Sequence, residues 1–223
     1  APAFAETWDI EKGDITVKAG DTEGTNKVSQ GTIIDKEDTN TVITGKSDKN
    51  TVTIEAKDED DKVEVTLKDV NIDTSKQSKA AVSVTGKGDT NIELDGDNEL
   101  KGAYNRAGLE HNQTVDGEGN VTSGKLTIQD ENNDGSLNAT GKGFAAGIGG
   151  GSAKAGQVTI TGGTITATGE DGAGIGGGSQ GNDGGGDAEN IIIQDYAKVT
   201  ATAYDGAAIG SGSAQYSVWG DQE

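Results

Sequence analysis

The chain of 223 residues predicts an all-β fold, a right-handed parallel β-helix: a solenoid of about six coils behind an irregular N-terminal cap. Three observations carry this. A phrase Ala-(Gly or Ala)-(Ile, Leu or Val) recurs as Ala80-Ala81-Val82, Ala107-Gly108-Leu109, Ala146-Gly147-Ile148, Ala173-Gly174-Ile175 and Ala207-Ala208-Ile209, its bulky position stepping by 27, 39, 27 and 34 residues. Val63, Ile92, Leu126, Val158 and Ile191 each open a short apolar run at comparable steps. Finally, residues 136–140, 164–168 and 198–202 align without gaps. A unit returning at this interval, with loops of varying length between, is one coil that cannot bury its apolar side without a neighbour.

In chain order, residues 1–5 read as a secretory signal remnant, because Ala3-Phe4-Ala5 before Glu6 has the small-x-small pattern of a cleavage site. Residues 6–62 form the cap and first coils. Ile15-Thr16-Val17, Thr32-Ile33-Ile34 and Thr41-Val42-Ile43 alternate with period two between Gly, Asp and Asn clusters, which is strand spacing. Trp8 and Ile10 are bulkier than the later inward residues and are expected to seal the open end. Residues 63–216 are the repeats. Within the gapless rows, Leu137, Ile165 and Val199 and then Ala139, Ala167 and Ala201 point inward, so Asn138, Thr166, Thr200, Thr140, Thr168 and Thr202 point out. Each coil thus offers three faces of parallel strands. The insertion Glu110–Gly124 accounts for the longest step, and residues 217–223 read as a tail or linker in which Val218 and Trp219 could seal the other end.

Composition agrees with a narrow tube. Apolar residues make up only 30%, but 37 glycines let coils turn tightly and approach closely. Cysteine is absent, which excludes disulfides and thiolate chemistry. The formal charge of −20 repels phosphate backbones and anionic lipid, so nucleic acid and membrane surfaces are not the expected partners and cations are favoured. No apolar run is long enough to span a membrane.

The segments LDGDNELKG, AGLE, KLTI, GSLNATG, AAGIGGGS and GTITATGEDGAGIGGGS resemble the Gly-Ile-Gly-Gly-Gly repeats of secreted or cell-wall-linked proteins of Gram-positive bacteria. The resemblance covers about residues 63–213. It implies a parallel β-helix at the cell surface, carbohydrate-binding or adhesive and not catalytic, and it transfers no ligand-binding residue.

The residues themselves offer a few sites. Asp130, Asn132 and Asp134 have the alternate oxygen ligands of a calcium loop, with Ca²⁺ as the ion, but the twelfth position is Gly141 where a bidentate acid is needed, and an Asx turn explains the same residues. Further carboxylates stand at Asp58/Asp60/Asp61, Asp95/Asp97/Glu99 and Asp183/Asp187/Glu189; the glycine-rich run at 176–187 lacks the spacing of a β-roll calcium repeat. For carbohydrate, Tyr104, Tyr196 and Tyr204, with Asp205 beside the last, are the available aromatic platforms, coil-edge packing being the alternative for each. Arg106 and His111, the only Arg and His, read as a solvated coil edge and a loop residue, which leaves a polysaccharide lyase without a strong base. The expected partner is therefore an extracellular polysaccharide or a host surface glycoprotein, with a structural stalk or adhesin as the alternative and a lyase or hydrolase behind both.

Overall fold

The computed structural model describes residues 4–180, 185–188 and 190–214. Short β-branched runs punctuated by Gly, Asn and Asp become strands, and the described residues hold no helix beyond a single 3-10 turn at Ile10–Lys12. The first rung is β1 (Phe4–Asp9), the 3-10 turn and β2 (Ile15–Ala19); β3 (Asn26–Gln30) then folds back. Three rungs follow in which one long strand bends round a corner before a short one: β4 (Ile33–Ser47) and β5 (Val52–Glu55), β6 (Lys62–Asp73) and β7 (Val82–Thr85), β8 (Asp89–Tyr104) and β9 (Leu109–Glu110). In the remaining rungs the corner separates three strands: β10 (Leu126–Gln129), β11 (Gly135–Lys142) and β12 (Ile148–Gly149); β13 (Val158–Ile160), β14 (Thr164–Gly169) and β15 (Ile175–Gly176); β16 (Ile191–Ile193), β17 (Lys198–Ala203) and β18 (Ile209–Gly210).

These strands stack into one continuous sheet with three faces, and rung on rung the pairing is parallel. On the first face β2, β5, β7, β9, β12, β15 and β18 pair in turn. Their register places Ile15, Val52, Val82, Leu109, Ile148, Ile175 and Ile209 in a single column. The recurring phrase therefore marks one inward row, and it reaches two rungs further toward the N-terminus than the phrase itself. From Val82 to Ile175 the column is wholly inaccessible to solvent, each side chain contributing about 1.5–3 kcal/mol by burial.

On the second face the sequence reading needs correction. Val63 pairs with Thr90, not Ile92, and the row continues Leu126, Val158, Ile191. Ile92 belongs two positions along, in the row Val65, Ile92, Ile128, Ile160, Ile193. A buried threonine occupies the place where periodicity called for an aliphatic residue, and its Oγ1 has no hydrogen-bond partner among the described residues. On the third face, β11, β14 and β17 follow the predicted register, with Asn138, Thr166 and Thr200 in one outward row and Thr140, Thr168 and Thr202 in the next. Buried Asn98 takes the inward place before Leu137. Its Oδ1 accepts from Val70 N at 2.9 Å and its Nδ2 donates to Asp95 O and Ser136 O.

Trp8 and Ile10 do not form the lid expected of them. Both are core residues of the first rung, Trp8 stacking on Ile43. The outer edge of β2 is covered instead by β3, which pairs antiparallel with both β2 and β4. The buried Asp38 ties this end together, accepting from Trp8 Nε1 at 2.8 Å and Glu6 N at 3.0 Å. At the other end Val218 and Trp219 lie outside the described residues.

Candidate functional site

The outward rows of the third face run from β4 to β17: Lys46, Asn71, Glu99, Asn138, Thr166, Thr200, and beside them Asp73, Lys101, Thr140, Thr168, Thr202. Like groups repeat at the strand spacing of about 4.8 Å. Charged side chains fill the early rungs, where Lys101 Nζ lies 3.1 Å from Glu99 Oε1, and hydroxyls and an amide fill the later ones.

The corner where this face ends holds two of the three candidate tyrosines, Tyr104 and Tyr204. Asn105 N donates to Lys142 O, Asp171 N to Gly143 O, and Tyr204 N and Asp205 N both to Glu170 O. Tyr104, Lys142, Glu170 and Tyr204 therefore mark successive rungs of one column, and Tyr104 pairs with Lys142 directly. Three rung steps separate the two tyrosines, roughly 14 Å. Tyr104 is 69% exposed and Tyr204 87%. The Tyr104 ring lies over Gly143, whose φ is +62° and where an added Cβ would sit 2.7 Å from Tyr104 Cε2. Glycine there both permits the left-handed backbone and makes room for the ring. Tyr196, 80% exposed, is in the turn before β17, at the opposite end of that strand, and does not join the pair.

Carboxylates crowd the same corner. Glu170 Oε2 accepts from Gly143 N at 2.8 Å. Asp171 is pushed above its ordinary carboxyl value by desolvation first, and then by its hydrogen bond to Asp205 and the negative charges of Asp205 and Glu170. Asp205 thus sits where the sequence placed it, beside Tyr204, but with an acidic neighbour the sequence reading did not single out.

The calcium loop is built as a turn. Asp130 is buried and spends both carboxylate oxygens on the backbone, Oδ1 on Asp134 N at 3.2 Å and Oδ2 on Gly135 N at 2.9 Å. Asn132 and Asp134 are exposed. Calcium takes six to eight oxygens, and among the described residues no group of three or more His, Cys, Asp or Glu is placed to hold a metal. As arranged, the donor set does not fit the ion. Asp183 and Glu189, of the third carboxylate set, lie outside the described residues.

Of the two residues read as peripheral, His111 is buried and Arg106 is half-buried. His111 is only 2% exposed, wedged between Val84 O (Nδ1 at 3.1 Å) and Gly124 O (Nε2 at 2.8 Å), so it pins both ends of the 110–124 insertion to the coil. Burial pushes its imidazole below the ordinary value, the two carbonyls pulling the other way. Arg106 is paired with buried Glu110 through two contacts, Nε to Oε1 at 3.0 Å and Nη2 to Oε2 at 2.5 Å. Glu110 stands in the row of Gly149, Gly176 and Gly210, and Gly151 leaves the space that its carboxylate fills. Glycine repetition hid this departure.

A shallow depression of about 330 Å³ lies on the second face under the β2–β3 loop, lined among others by Asn26, Glu64, Asn91, Glu93 and Gln129. Glu93 Oε1 accepts from Glu131 N at 2.8 Å, and desolvation holds its carboxyl above the ordinary value. None of the sequence-predicted site residues lines it.

A family model described as a beta helix repeat matches residues 133–152, 158–179 and 191–213. The first match covers β11 and β12 and the turn before them, and the other two cover the whole rungs β13–β15 and β16–β18. The C-terminal part of the chain is thus similar to beta helix repeats. The earlier rungs of the chain continue the same β-helix in parallel register, beyond the matched residues. No curated protein and no solved structure matches it. Among the described residues no helix is long and apolar enough to cross a membrane.

Proposed function

We propose that this β-helix, a right-handed solenoid of about six coils behind its cap, is a non-catalytic surface module that binds extracellular polysaccharide or a host surface glycoprotein. The right hand follows the general rule for parallel strands joined by crossovers. One observation supports the binding role above the others: a flat ladder of amides and hydroxyls ends at a corner where Tyr104 and Tyr204 stand exposed on the same column. Sugars want this pairing of hydrogen-bonding groups with an aromatic face, since a hexose has polar edges and an apolar side. The sequence resemblance to secreted Gram-positive repeats supports a place outside the cell or on its surface.

Calcium is left out of this proposal: with Asp130 engaged by the turn, exposed Asn132 and Asp134 fall short of the six to eight oxygens the ion takes, and equal melting temperatures in calcium and in chelator are expected. A second reading, a structural stalk or adhesin, is favoured by the unbroken column on the first face, which suits a rigid spacer. A glycan array probed in calcium and in chelator separates the two. Reproducible hits that fall in Tyr104→Ala and Tyr204→Ala support the module, and an empty array supports the stalk.

A further inference from the structure

Resting on the carbohydrate reading, we infer that the Tyr104–Tyr204 corner takes a polysaccharide carrying free amino groups, a glucosamine polymer, in preference to an acidic one. The third face is an unpartnered sheet face, and what distinguishes its tyrosine corner is charge. Between and beside the two rings stand Glu170, Asp171 and Asp205, with Lys142 on the same column. Glu170 and Asp205 are exposed. Asp171 and Asp205 lie within hydrogen-bonding reach of each other, and a cation placed beside them relieves the crowding of negative charge.

A sugar ammonium meets this corner in two complementary ways. It can donate charge-assisted hydrogen bonds to Asp205 and Glu170, and it can sit against the face of Tyr204 or Tyr104, whose quadrupole attracts cations. A uronate would bring a second anion to a site already rich in them, on a chain with a formal charge of −20. An N-acetylated sugar would keep the stacking and lose the charge. The rung spacing of about 4.8 Å along roughly 14 Å of corner suits an extended oligomer lying across successive rungs.

The test is calorimetric titration with short oligomers of glucosamine, of N-acetylglucosamine and of galacturonate, at mildly acidic pH, where sugar amines are protonated. Glucosamine oligomers should bind, more weakly as salt rises. Tyr204→Ala and Asp205→Asn should each weaken that binding about tenfold, a free-energy change of about 1.4 kcal/mol. Both positions are exposed, so unchanged melting temperatures check that the fold survives. Because any strongly acidic protein attracts a polycation, Glu59→Gln/Asp60→Asn removes two exposed charges elsewhere and should leave the affinity unaltered. Stronger binding of the acetylated or galacturonate oligomers would overturn the amino-sugar inference and keep the carbohydrate reading. Equal losses in the Glu59/Asp60 variant, or none in Tyr204→Ala and Asp205→Asn, would overturn the corner as the site. If no sugar on the array and none of these oligomers binds, the carbohydrate reading itself falls.

Discussion

Gly149→Ala tests whether glycine is abundant because rungs lie directly on one another. Gly149, Gly176 and Gly210 stack on the first face. Gly149 has φ +129°, and a Cβ built there would lie 2.1 Å from Gly176 O, the backbone of the next rung. Gly24, in the β2–β3 loop, also has positive φ, +81°, but a Cβ there meets nothing within 4 Å. Gly24→Ala therefore carries only the left-handed backbone cost, about 1–2 kcal/mol. Gly149→Ala carries a comparable conformational cost plus the cost of forcing two rungs apart, about 1–3 kcal/mol by analogy with overpacked cores. Urea unfolding followed by circular dichroism reads the difference. With a slope of about 3 kcal/mol/M, the midpoint of Gly149→Ala should lie about 0.3–1 M below that of Gly24→Ala. If the two variants unfold together, contact between rungs is not why glycine is there.

Three further outcomes follow from buried polar groups. Trp8→Phe should cost about 1–3 kcal/mol, because it leaves Asp38 buried with one donor fewer, and Trp8→Phe/Asp38→Leu should recover part of the loss in thermal denaturation. Arg106→Ala should destabilise by about 2 kcal/mol, less than for a fully buried pair since the arginine is partly exposed, and adding Glu110→Gln should restore most of it in a double-mutant cycle. His111 has its folded-state pKa depressed below 6.5, so the unfolded chain binds the extra proton first. Its contribution is complete above that value and is lost as pH falls toward the folded pKa. Wild type should thus lose more stability than His111→Gln between neutral and acidic pH; the opposite order would mean that the two carbonyls outweigh burial.

How much of this could be read in advance differs by face. The first face was legible because one inward position holds Val, Leu or Ile in every repeat from Val82 to Ile209, and β11, β14 and β17 aligned without gaps. The second face misled by two residues because Thr90 occupies an inward place, and a pattern that counts aliphatic residues moves on to Ile92. The cap was illegible since β3 pairs antiparallel within an otherwise parallel stack, a choice made by long-range edge protection and not by local alternation. For the site, alternation identified the outward threonines, but whether the tyrosines are exposed and which of them share a corner depends on loop lengths between rungs. Burial of His111 and Glu110 was hidden for the same reason: their partners, Val84 O, Gly124 O and the space at Gly151, lie on other rungs or beyond the insertion.

Thr90 and Asn98 put two polar groups inside the same strand, β8, and the insertion pinned by His111 follows directly after it. Ile92, Leu94 and Leu100 nonetheless carry the core on through this rung, in one cluster that runs from Trp8 to Ile175. Asn98 is satisfied by its hydrogen bonds and the Thr90 hydroxyl is not, so the weak place of the rung is Thr90, where an aliphatic side chain of the same shape would remove an unmet polar group from the interior.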